Sequence, residues 1–148
     1  MLRTHAEVVL VSCAIWCGQV ACKGKAVHYE PSLVVLAGRV VMERVYGPPN
    51  FGETPNVDAR YEIPVLHLDS SVCVVPDRRS GPDSDLYTDV RRIHVYFPTP
   101  PGFDIKGILN RHVTLEGTLR EGAAPEDRTD VVMDVRRVLV GRSHPTQT

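Results

Sequence analysis

The sequence predicts an all-β domain, and three observations support this prediction. Valine is abundant while aromatic residues make up only 6% of the chain, a composition that favours strands. Several segments alternate apolar and polar residues with the period of a strand. Prolines and glycines collect between these segments, where they end strands. The 148 residues are enough for one domain with a substantial buried core.

The first 21 residues are predicted to be a secretory signal peptide. Arg3 supplies the positive charge, residues 8–16 are almost entirely apolar, and small residues precede Cys22. Glu7 shortens the apolar stretch, so a buried first strand or helix is the alternative. We therefore expect a periplasmic or secreted protein whose mature chain begins near Cys22.

Neither a lipid anchor nor a membrane span is expected. Residues 10–13 read Leu-Val-Ser-Cys, which has the shape of a lipoprotein cleavage site but lies too early in the apolar run. Residues 19–22 are better placed, yet Gln19 stands where a leucine-like residue is needed. Beyond the N-terminus, no apolar run approaches the roughly 20 residues of a membrane helix.

Cleavage before Cys22 would remove Cys13 and Cys17 and leave the pair Cys22 and Cys73. In an oxidising compartment, two cysteines most simply form a disulfide. Closing a loop of about 50 residues stabilises a fold by roughly 4 kcal/mol in the chain-entropy model. Two unrelated buried thiols are the alternative. The chain has no Cys-x-x-Cys pair, so it gives no support to a zinc site or to thioredoxin-type chemistry.

The first predicted strand begins after a polar lead-in that ends at Pro31, which favours extended geometry in the residue before it. Its inward positions are Val34, Leu36, Gly38, Val40 and Met42. The glycine in this series indicates a bend, as where one strand serves both halves of a small barrel. Residues 47–56 hold three prolines and two glycines and are predicted to be a loop.

The second predicted strand covers residues 60–69, and residues 72–75 extend or follow it. Its inward register slips at Pro64, which predicts a bulge or an edge there. Residues 76–88 form a second long loop. The third strand, residues 89–97, turns one face inward and the other to solvent; the outward side chains are Arg92, His94 and Tyr96.

A two-turn helix, a fourth strand and a fifth strand are expected over residues 103–110, 112–120 and 130–140. In the fifth strand the apolar positions change phase, which predicts a bulge at Arg136 and Arg137. Residues 141–148 are expected to be a flexible tail.

Five strands with one short helix between the third and the fourth is the order of the OB-fold, a small Greek-key barrel. A repeated pattern supports this interpretation. Residues 36–40 and 115–119 both read Leu-x-Gly-x-apolar, and the first and fourth strands of an OB barrel are neighbours. We therefore expect residues 22–140 to form a single OB-like β-barrel domain. An open β-sandwich and an SH3-like barrel are the rival folds.

Composition and motifs exclude several classes of function. Seventeen basic and eighteen acidic residues give a formal net charge of −1, which removes the electrostatic argument for nucleic acid or anionic membranes. No nucleophile elbow, zinc-protease motif, P-loop or dinucleotide motif is present. No cofactor or metal is therefore expected, and His94 is predicted to be solvated. The enzymatic alternative is an envelope hydrolase or metal-dependent enzyme that uses Glu53, Asp58, His67 or His94.

The turn at residues 47–53 is the predicted binding site. Its prolines fix the backbone while its glycines permit sharp bends, so the turn is expected to hold one shape that displays Asn50, Phe51 and Glu53. In one hypothesis Phe51 plugs an end of the barrel and Glu53 caps a backbone amide. In the other, Phe51 is an exposed anchor for a partner.

Five segments together resemble one family of small exported bacterial proteins, a domain of unknown function. They are the Tyr-Glu-Pro, Val-Leu-Ala-Gly, Gly-Pro-Pro-Asn-Phe-Gly-Glu and Val-Cys-Val segments and Leu-Asn-Arg-His-Val-Thr-Leu-Glu-Gly-Thr-Leu, at residues 29–31, 35–38, 47–53, 72–74 and 109–119. The resemblance covers most of residues 22–138 and implies a signal peptide and two cysteines, which correspond to Cys22 and Cys73. Members often carry a histidine-rich stretch where residues 121–128 lie here, so no metal role carries over. The family lends no established activity.

The sequence therefore predicts an exported, non-enzymatic binding module. A rigid barrel would present the loops at residues 47–56 and 76–88 to a partner in the envelope. The partner classes are an envelope protein and a cell-wall saccharide.

Overall fold

The computed structural model describes residues 22, 24–77, 79, 84–98 and 104–139. These residues form six strands and one 3-10 turn: β1 (Lys25–His28), β2 (Leu33–Tyr46), β3 (Arg60–Val75), β4 (Tyr87–Tyr96), the turn Ile105–Gly107, β5 (His112–Glu121) and β6 (Val131–Leu139). The prediction of an all-β domain is confirmed. The predicted signal peptide, the predicted tail and part of the second predicted loop lie outside the described residues.

The strands form one sheet in the order β1-β3-β2-β5-β6-β4. An additional pairing of β3 with β4 closes this sheet partly into a ring. The β1–β3 and β4–β6 pairs are parallel, and the other pairs are antiparallel. The side chains that face the inside of the ring make up the core, in which Val40, Leu66, Ile93, Leu115 and Leu119 are fully buried.

The predicted inward face of the first long strand is confirmed in β2 as far as Val40, whereas Met42, which was predicted to face inward, is only half-buried. Val34, Leu36 and Val40 are buried at every second position. Leu36 pairs with Leu115 of β5, so the two strands that carry the repeated glycine pattern are neighbours. At Gly38, a Cβ atom would lie 2.1 Å from the backbone oxygen of His67. Gly38 is therefore required for the close approach of β2 and β3.

The polar lead-in, which was predicted only as an approach to the first long strand, contains the short strand β1. This strand pairs with residues 72–75 of β3, and Val27 is buried in the core. The structure also brings the predicted cysteine pair, Cys22 and Cys73, to disulfide distance, with Cα atoms 5.5 Å apart. Burial of Val27 and the adjacent Cys22–Cys73 crosslink thus stabilise β1. With four residues, this strand is too short to be recognised from its sequence.

Of the two alternatives predicted at Pro64, a bulge or an edge, the structure shows an edge on the β4 side and no bulge. Pairing of β2 with β3 continues without interruption through Pro64, which lies opposite Met42. On the other side of β3, pairing with β4 ends at Val65 and His94. Pro64 lies beyond that end, so its missing amide hydrogen removes no ladder bond on the β4 side. The irregularities in the pairing of β3 with β4 instead fall between His67 and Val72 and between Val72 and Val74.

The bulge predicted in the last strand is confirmed, because Glu116 pairs with Arg137 while the next residue of β5 pairs with Val135. The predicted two-turn helix over residues 103–110 is wrong, since among the described residues 104–110 the sole helical segment is a 3-10 turn at Ile105–Gly107. Leu109 instead extends to bridge Val40, which ends the helical path. Within the described part of the chain, no helix has the length and apolar character needed to span a membrane.

Candidate functional site

The β2–β3 loop (residues 47–59) is organised around the carboxylate of Asp58. Asp58 Oδ1 accepts from the backbone N–H of Asn50 at 2.9 Å, and Oδ2 accepts from the N–H groups of Gly52 and Thr54 at 2.8 and 3.2 Å. The Thr54 hydroxyl donates to Oδ1 at 3.3 Å. Burial alone raises the pKa of Asp58, but these donors outweigh it and hold the pKa below its ordinary value. The carboxylate is therefore ionised and fully committed to the loop.

The predicted binding residues Asn50, Phe51 and Glu53 lie on this loop. The Asn50 side chain donates to Thr54 Oγ1 at 2.6 Å, and Glu53 is exposed. Phe51 is 39% exposed and has φ 52°, a left-handed conformation that residues other than glycine seldom adopt. The hypothesis that Phe51 plugs one end of the barrel is wrong, because Phe51 lies outside the core. The loop amides that Glu53 was expected to cap donate instead to Asp58. A binding role for the three residues stays a prediction.

Arg128 joins this loop to the β5–β6 loop (residues 122–130). Its guanidinium lies over the Phe51 ring, 4.8 Å from the centroid. Its Nη2 atom donates to the Tyr46 carbonyl at 2.8 Å and to Tyr61 Oη at 3.1 Å. Gly47 packs against the same Tyr61 ring, since a Cβ atom there would lie 2.4 Å from Cε1. Tyr61 is thus held in place by both loops.

The β5–β6 loop is fixed by Asp127, whose side chain is 1% exposed. Its carboxylate accepts from Arg120 Nη1 at 2.7 Å, from the N–H of Ala124 at 3.0 Å and from Tyr96 Oη at 3.0 Å. Burial raises the pKa of Asp127, but the hydrogen bonds, above all that from Arg120, lower it below its ordinary value. Burial, followed by the bond to Asp127, raises the pKa of Tyr96 to about 12. The phenol therefore remains protonated and donates.

A cavity of about 450 Å³ opens where β3 and β4 diverge, beyond the last paired residues, Val65 and His94. One wall comes from β3 and another from β4 and the two residues that follow it. The 3-10 turn contributes Ile105, and the β5–β6 loop contributes Glu126. Most of the lining is apolar or aromatic. The lining residues are Tyr61, Ile63, Pro64, His94, Val95, Tyr96, Phe97, Pro98, Ile105 and Glu126.

His94 is the buried polar group of this cavity. It is 3% exposed, and its ring lies 4.4 Å from the ring of Tyr96 between centroids. Its backbone N–H donates to Thr129 Oγ1 at 2.8 Å. In contrast, the Nδ1 atom of the ring has no hydrogen-bond partner among the described residues. The prediction of a solvated His94 is wrong, because the β5–β6 loop covers the face of β4 that was expected to meet water.

The surroundings of His94 keep its imidazole neutral. Burial is the largest effect and lowers the pKa, while Asp127 raises it and the cations of Arg120 and Arg128 lower it further. The net result is a pKa below the ordinary value. At neutral pH the ring is therefore uncharged, and one ring nitrogen donates while the other accepts.

The residues of the enzymatic alternative do not form one constellation. In the part of the chain that the structure describes, Glu53, Asp58, His67 and His94 make no hydrogen bond or ion pair with one another. His67 Nε2 instead lies 2.6 Å from Glu43 Oε1 on the outer surface. Among the same residues, no three His, Cys, Asp or Glu side chains gather as a metal site requires.

Compared with models of protein families, with curated proteins and with solved structures, the chain matches none. Its function therefore has to be inferred from the geometry of the cavity and its loops.

Proposed function

We propose that the protein is an exported, non-enzymatic binding module and that the β3–β4 cavity holds its ligand. The observation that carries this proposal is a mostly apolar cavity of about 450 Å³ whose lining includes a few polar side chains, among them Tyr61, His94 and Glu126. Ligand pockets have volumes of roughly 300–1,000 Å³ and combine apolar walls with a few polar groups. The cavity has both properties.

The fold that we propose is a five-stranded OB-like barrel, to which β1 adds a sixth strand. The cyclic order β2-β3-β4-β6-β5 and the parallel β4–β6 pair support it. OB-folds bind their ligands on the face of strands 2 and 3, between the loop that joins strands 1 and 2 and the loop that joins strands 4 and 5. In this OB numbering, β3 and β4 are strands 2 and 3, and they supply most of the cavity lining. The β5–β6 loop contributes Glu126 to the lining, and the β2–β3 loop contacts a lining residue through Gly47, which packs against Tyr61.

Export is supported by the predicted signal peptide, the resemblance to an exported family and the cysteine pair at disulfide distance. N-terminal sequencing of protein isolated from its native host is expected to begin at or near Cys22. A full-length N-terminus on cytoplasmic protein would contradict the proposed location.

The cavity assignment can be tested by amide NMR with four uncharged probes: p-cresol, indole, cyclohexanol and N-acetylglucosamine. At least one probe is expected to shift the amides of residues 94–97. The variant Ile105→Trp fills the cavity from its half-buried rim and should abolish these shifts. Its matched control is Leu33→Trp, at a position that is 55% exposed and does not line the cavity.

Two results would overturn the proposal. In the first, none of the probes shifts the cavity amides. In the second, the probes bind Ile105→Trp as well as they bind the wild type. N-acetylglucosamine alone in the cavity would identify a saccharide as the ligand class and would uphold the site.

A further inference from the structure

We propose that the protein has a second binding surface, which binds an acidic segment of a partner protein. Two exposed aromatic rings and the two guanidinium groups stacked on them form this surface, and we call it the arginine–aromatic platform. Its members are Tyr46, Phe51, Arg60 and Arg128. None of the four lines the β3–β4 cavity, so the inference goes beyond the proposed function and does not rest on the cavity.

The four side chains form one continuous surface. The guanidinium of Arg60 lies over the Tyr46 ring, 5.2 Å from its centroid. That of Arg128 lies over the Phe51 ring at 4.8 Å. The two halves meet at Gly52, where a Cβ atom would lie 3.5 Å from Tyr46 Cδ2, and at the Tyr46 carbonyl, which accepts from Arg128. Residues of β2, β3 and both loops therefore come together in one patch.

The two cations of the platform have no anionic partner. In the part of the chain that the structure describes, Arg60 and Arg128 donate to uncharged acceptors, and neither forms an ion pair with a carboxylate. The neighbouring Arg44, in contrast, lies 3.8 Å from Glu62. Glu53 is exposed on the same loop but pairs with neither cation. Because a guanidinium binds a carboxylate through two parallel N–H donors, the platform is complementary to a partner that carries carboxylates.

Arg60 supplies the more accessible of the two charges. Its side chain is exposed, whereas Arg128 is half-buried and its Nε atom is buried without a partner. We therefore assign the direct contact with a carboxylate to Arg60, while Arg128 adds positive charge and packs against Phe51. An exposed ion pair alone contributes little free energy, so the partner also needs an apolar contact.

Phe51 supplies that contact, and it is held in an unfavourable backbone conformation. Its φ of 52° is one that a bulky residue seldom adopts and that glycine adopts without strain. The ring is nevertheless 39% exposed and lies outside the core, so core burial does not offset the strain. Strained residues cluster at binding sites, and aromatic residues beside arginine are typical of interface hot spots. We therefore assign Phe51 as the anchor for the partner.

The platform fits a protein better than a saccharide or a nucleic acid. Sugars bind aromatic side chains by stacking on open ring faces, but a guanidinium already covers a face of each ring. Two unpaired cations in a chain with a formal net charge of −1 do not form the extended basic surface that nucleic acid needs. A polypeptide that carries glutamate or aspartate next to an apolar side chain matches both the charges and the rings.

Three acetylated octapeptides test this partner chemistry. One has the sequence Glu-Glu-Leu-Glu-Glu-Leu-Glu-Glu, and the other two replace every glutamate by glutamine or by lysine. In amide NMR titrations at low salt, the glutamate peptide is expected to shift the amides of residues 50–52. It should bind at least about tenfold more tightly than the glutamine peptide, and the lysine peptide should not bind. Equal affinities for the glutamate and glutamine peptides would overturn the proposal.

Two variants with the same loss of charge separate the platform from general attraction between charges. Arg60→Gln should weaken binding of the glutamate peptide about tenfold. The matched control is Arg111→Gln, at an exposed position outside the platform, and its affinity should stay within twofold of the wild-type value. Equal losses in the two variants would show that the peptide is attracted by overall charge and would overturn the platform as its site.

Phe51→Gly separates binding from folding. Glycine relieves the left-handed strain and removes the ring, so Tm should stay near the wild-type value while the affinity for the glutamate peptide falls about tenfold or more. A lower Tm with unchanged affinity would give Phe51 a structural role and would overturn its assignment as the anchor.

The outcomes also keep this inference distinct from the proposed function. Ile105→Trp, which fills the cavity, should bind the glutamate peptide as tightly as the wild type does. If the glutamate peptide does not bind but a cavity probe shifts the amides of residues 94–97, the platform is wrong and the cavity stands. If trigalacturonate shifts the amides of residues 50–52 and the glutamate peptide does not, the protein partner is wrong and an acidic saccharide takes its place.

Discussion

The buried polar groups of the two loops and of the cavity differ in whether they have hydrogen-bond partners. The carboxylates of Asp58 and Asp127 each accept from several donors that fix one loop. His94 Nδ1 and Arg128 Nε are buried without a partner among the described residues. Buried polar groups are nearly always hydrogen-bonded. The two exceptions belong to His94, which lines the cavity, and to Arg128, which contacts Tyr61 beside it, whereas the two aspartates are explained by the loops that they hold.

Asp58 supplies the first test at this scale. Replacing it with alanine leaves the backbone N–H groups of Asn50, Gly52 and Thr54 without their common acceptor, so we expect Asp58→Ala to lower Tm by several degrees. The control is Glu53→Ala, in the same loop but at an exposed position, and its Tm should match that of the wild type. Equal Tm values for the two variants would contradict the role given to Asp58.

The role of Asp58 also has a pH signature. Its pKa is lower in the folded protein than its ordinary value, which is about 3.9. The ionised carboxylate therefore stabilises the fold fully above the unfolded pKa, and this stabilisation is lost as the pH falls through the folded pKa. The difference in Tm between the wild type and Asp58→Asn should be largest at neutral pH and should shrink in acid. A difference that does not change with pH would show that the charge of Asp58 is not responsible.

At the scale of the elements, the sequence predicts what depends on local pattern. The alternation in β2, the pairing of its Gly38 segment with β5 and the bulge near Arg136 all follow from the spacing of apolar residues and glycines. The features that sequence reasoning missed, strand β1 and the loop over His94, depend on contacts between residues far apart in the chain. Strand β1 has too few residues to carry a pattern. His94 is covered by the β5–β6 loop, whose polar composition does not predict that it buries a side chain. The two rings of His94 and Tyr96 on one face of the strand were a signal in the sequence that this face is covered.

The cavity belongs to the same class of missed features, because it is a space between elements. Pro64 suggested an edge, and β3–β4 pairing does end next to it, at Val65. The sequence could not show that the strands then diverge, or that Arg128 would bind Tyr61 from another loop. The predicted binding loop is nevertheless next to the cavity, since Arg128 contacts both Phe51 and Tyr61.

Gly38 tests the packing of β2 against β3. A methyl group at this position would lie 2.1 Å from the backbone oxygen of His67, and backbone cannot move aside as the end of a side chain can. We expect Gly38→Ala to lower the free energy of unfolding by about 3 kcal/mol, measured by urea denaturation. Gly107→Ala is the matched control, because a Cβ atom there meets nothing within 4 Å. Equal stability of the two variants would mean that β2 and β3 tolerate separation.

At the scale of the whole molecule, β3 connects two regions: the cavity with its neighbouring loops at one end, and the cysteine pair with β1 at the other. Tyr61, near the start of the strand, lies between the two loops at the cavity. Cys73, near its end, pairs with β1 and lies at disulfide distance from Cys22. The loops of the proposed binding site and the Cys22–Cys73 crosslink are thus attached to opposite ends of one long strand. Stability and binding should therefore respond differently to loss of the crosslink.

The crosslink should stabilise the fold without contributing to the cavity. Cys22 and Cys73 are 51 residues apart in sequence, and closing a loop of this length contributes about 4 kcal/mol to stability in the chain-entropy model. Reduction, or the double variant Cys22→Ser with Cys73→Ala, should lower the unfolding free energy by that amount in urea. Well below Tm, the affinity for the tightest cavity probe should stay within twofold of the wild-type value. A loss of affinity in protein that remains folded would show that the two ends of β3 are coupled, and unchanged stability after reduction would show that the bond does not form.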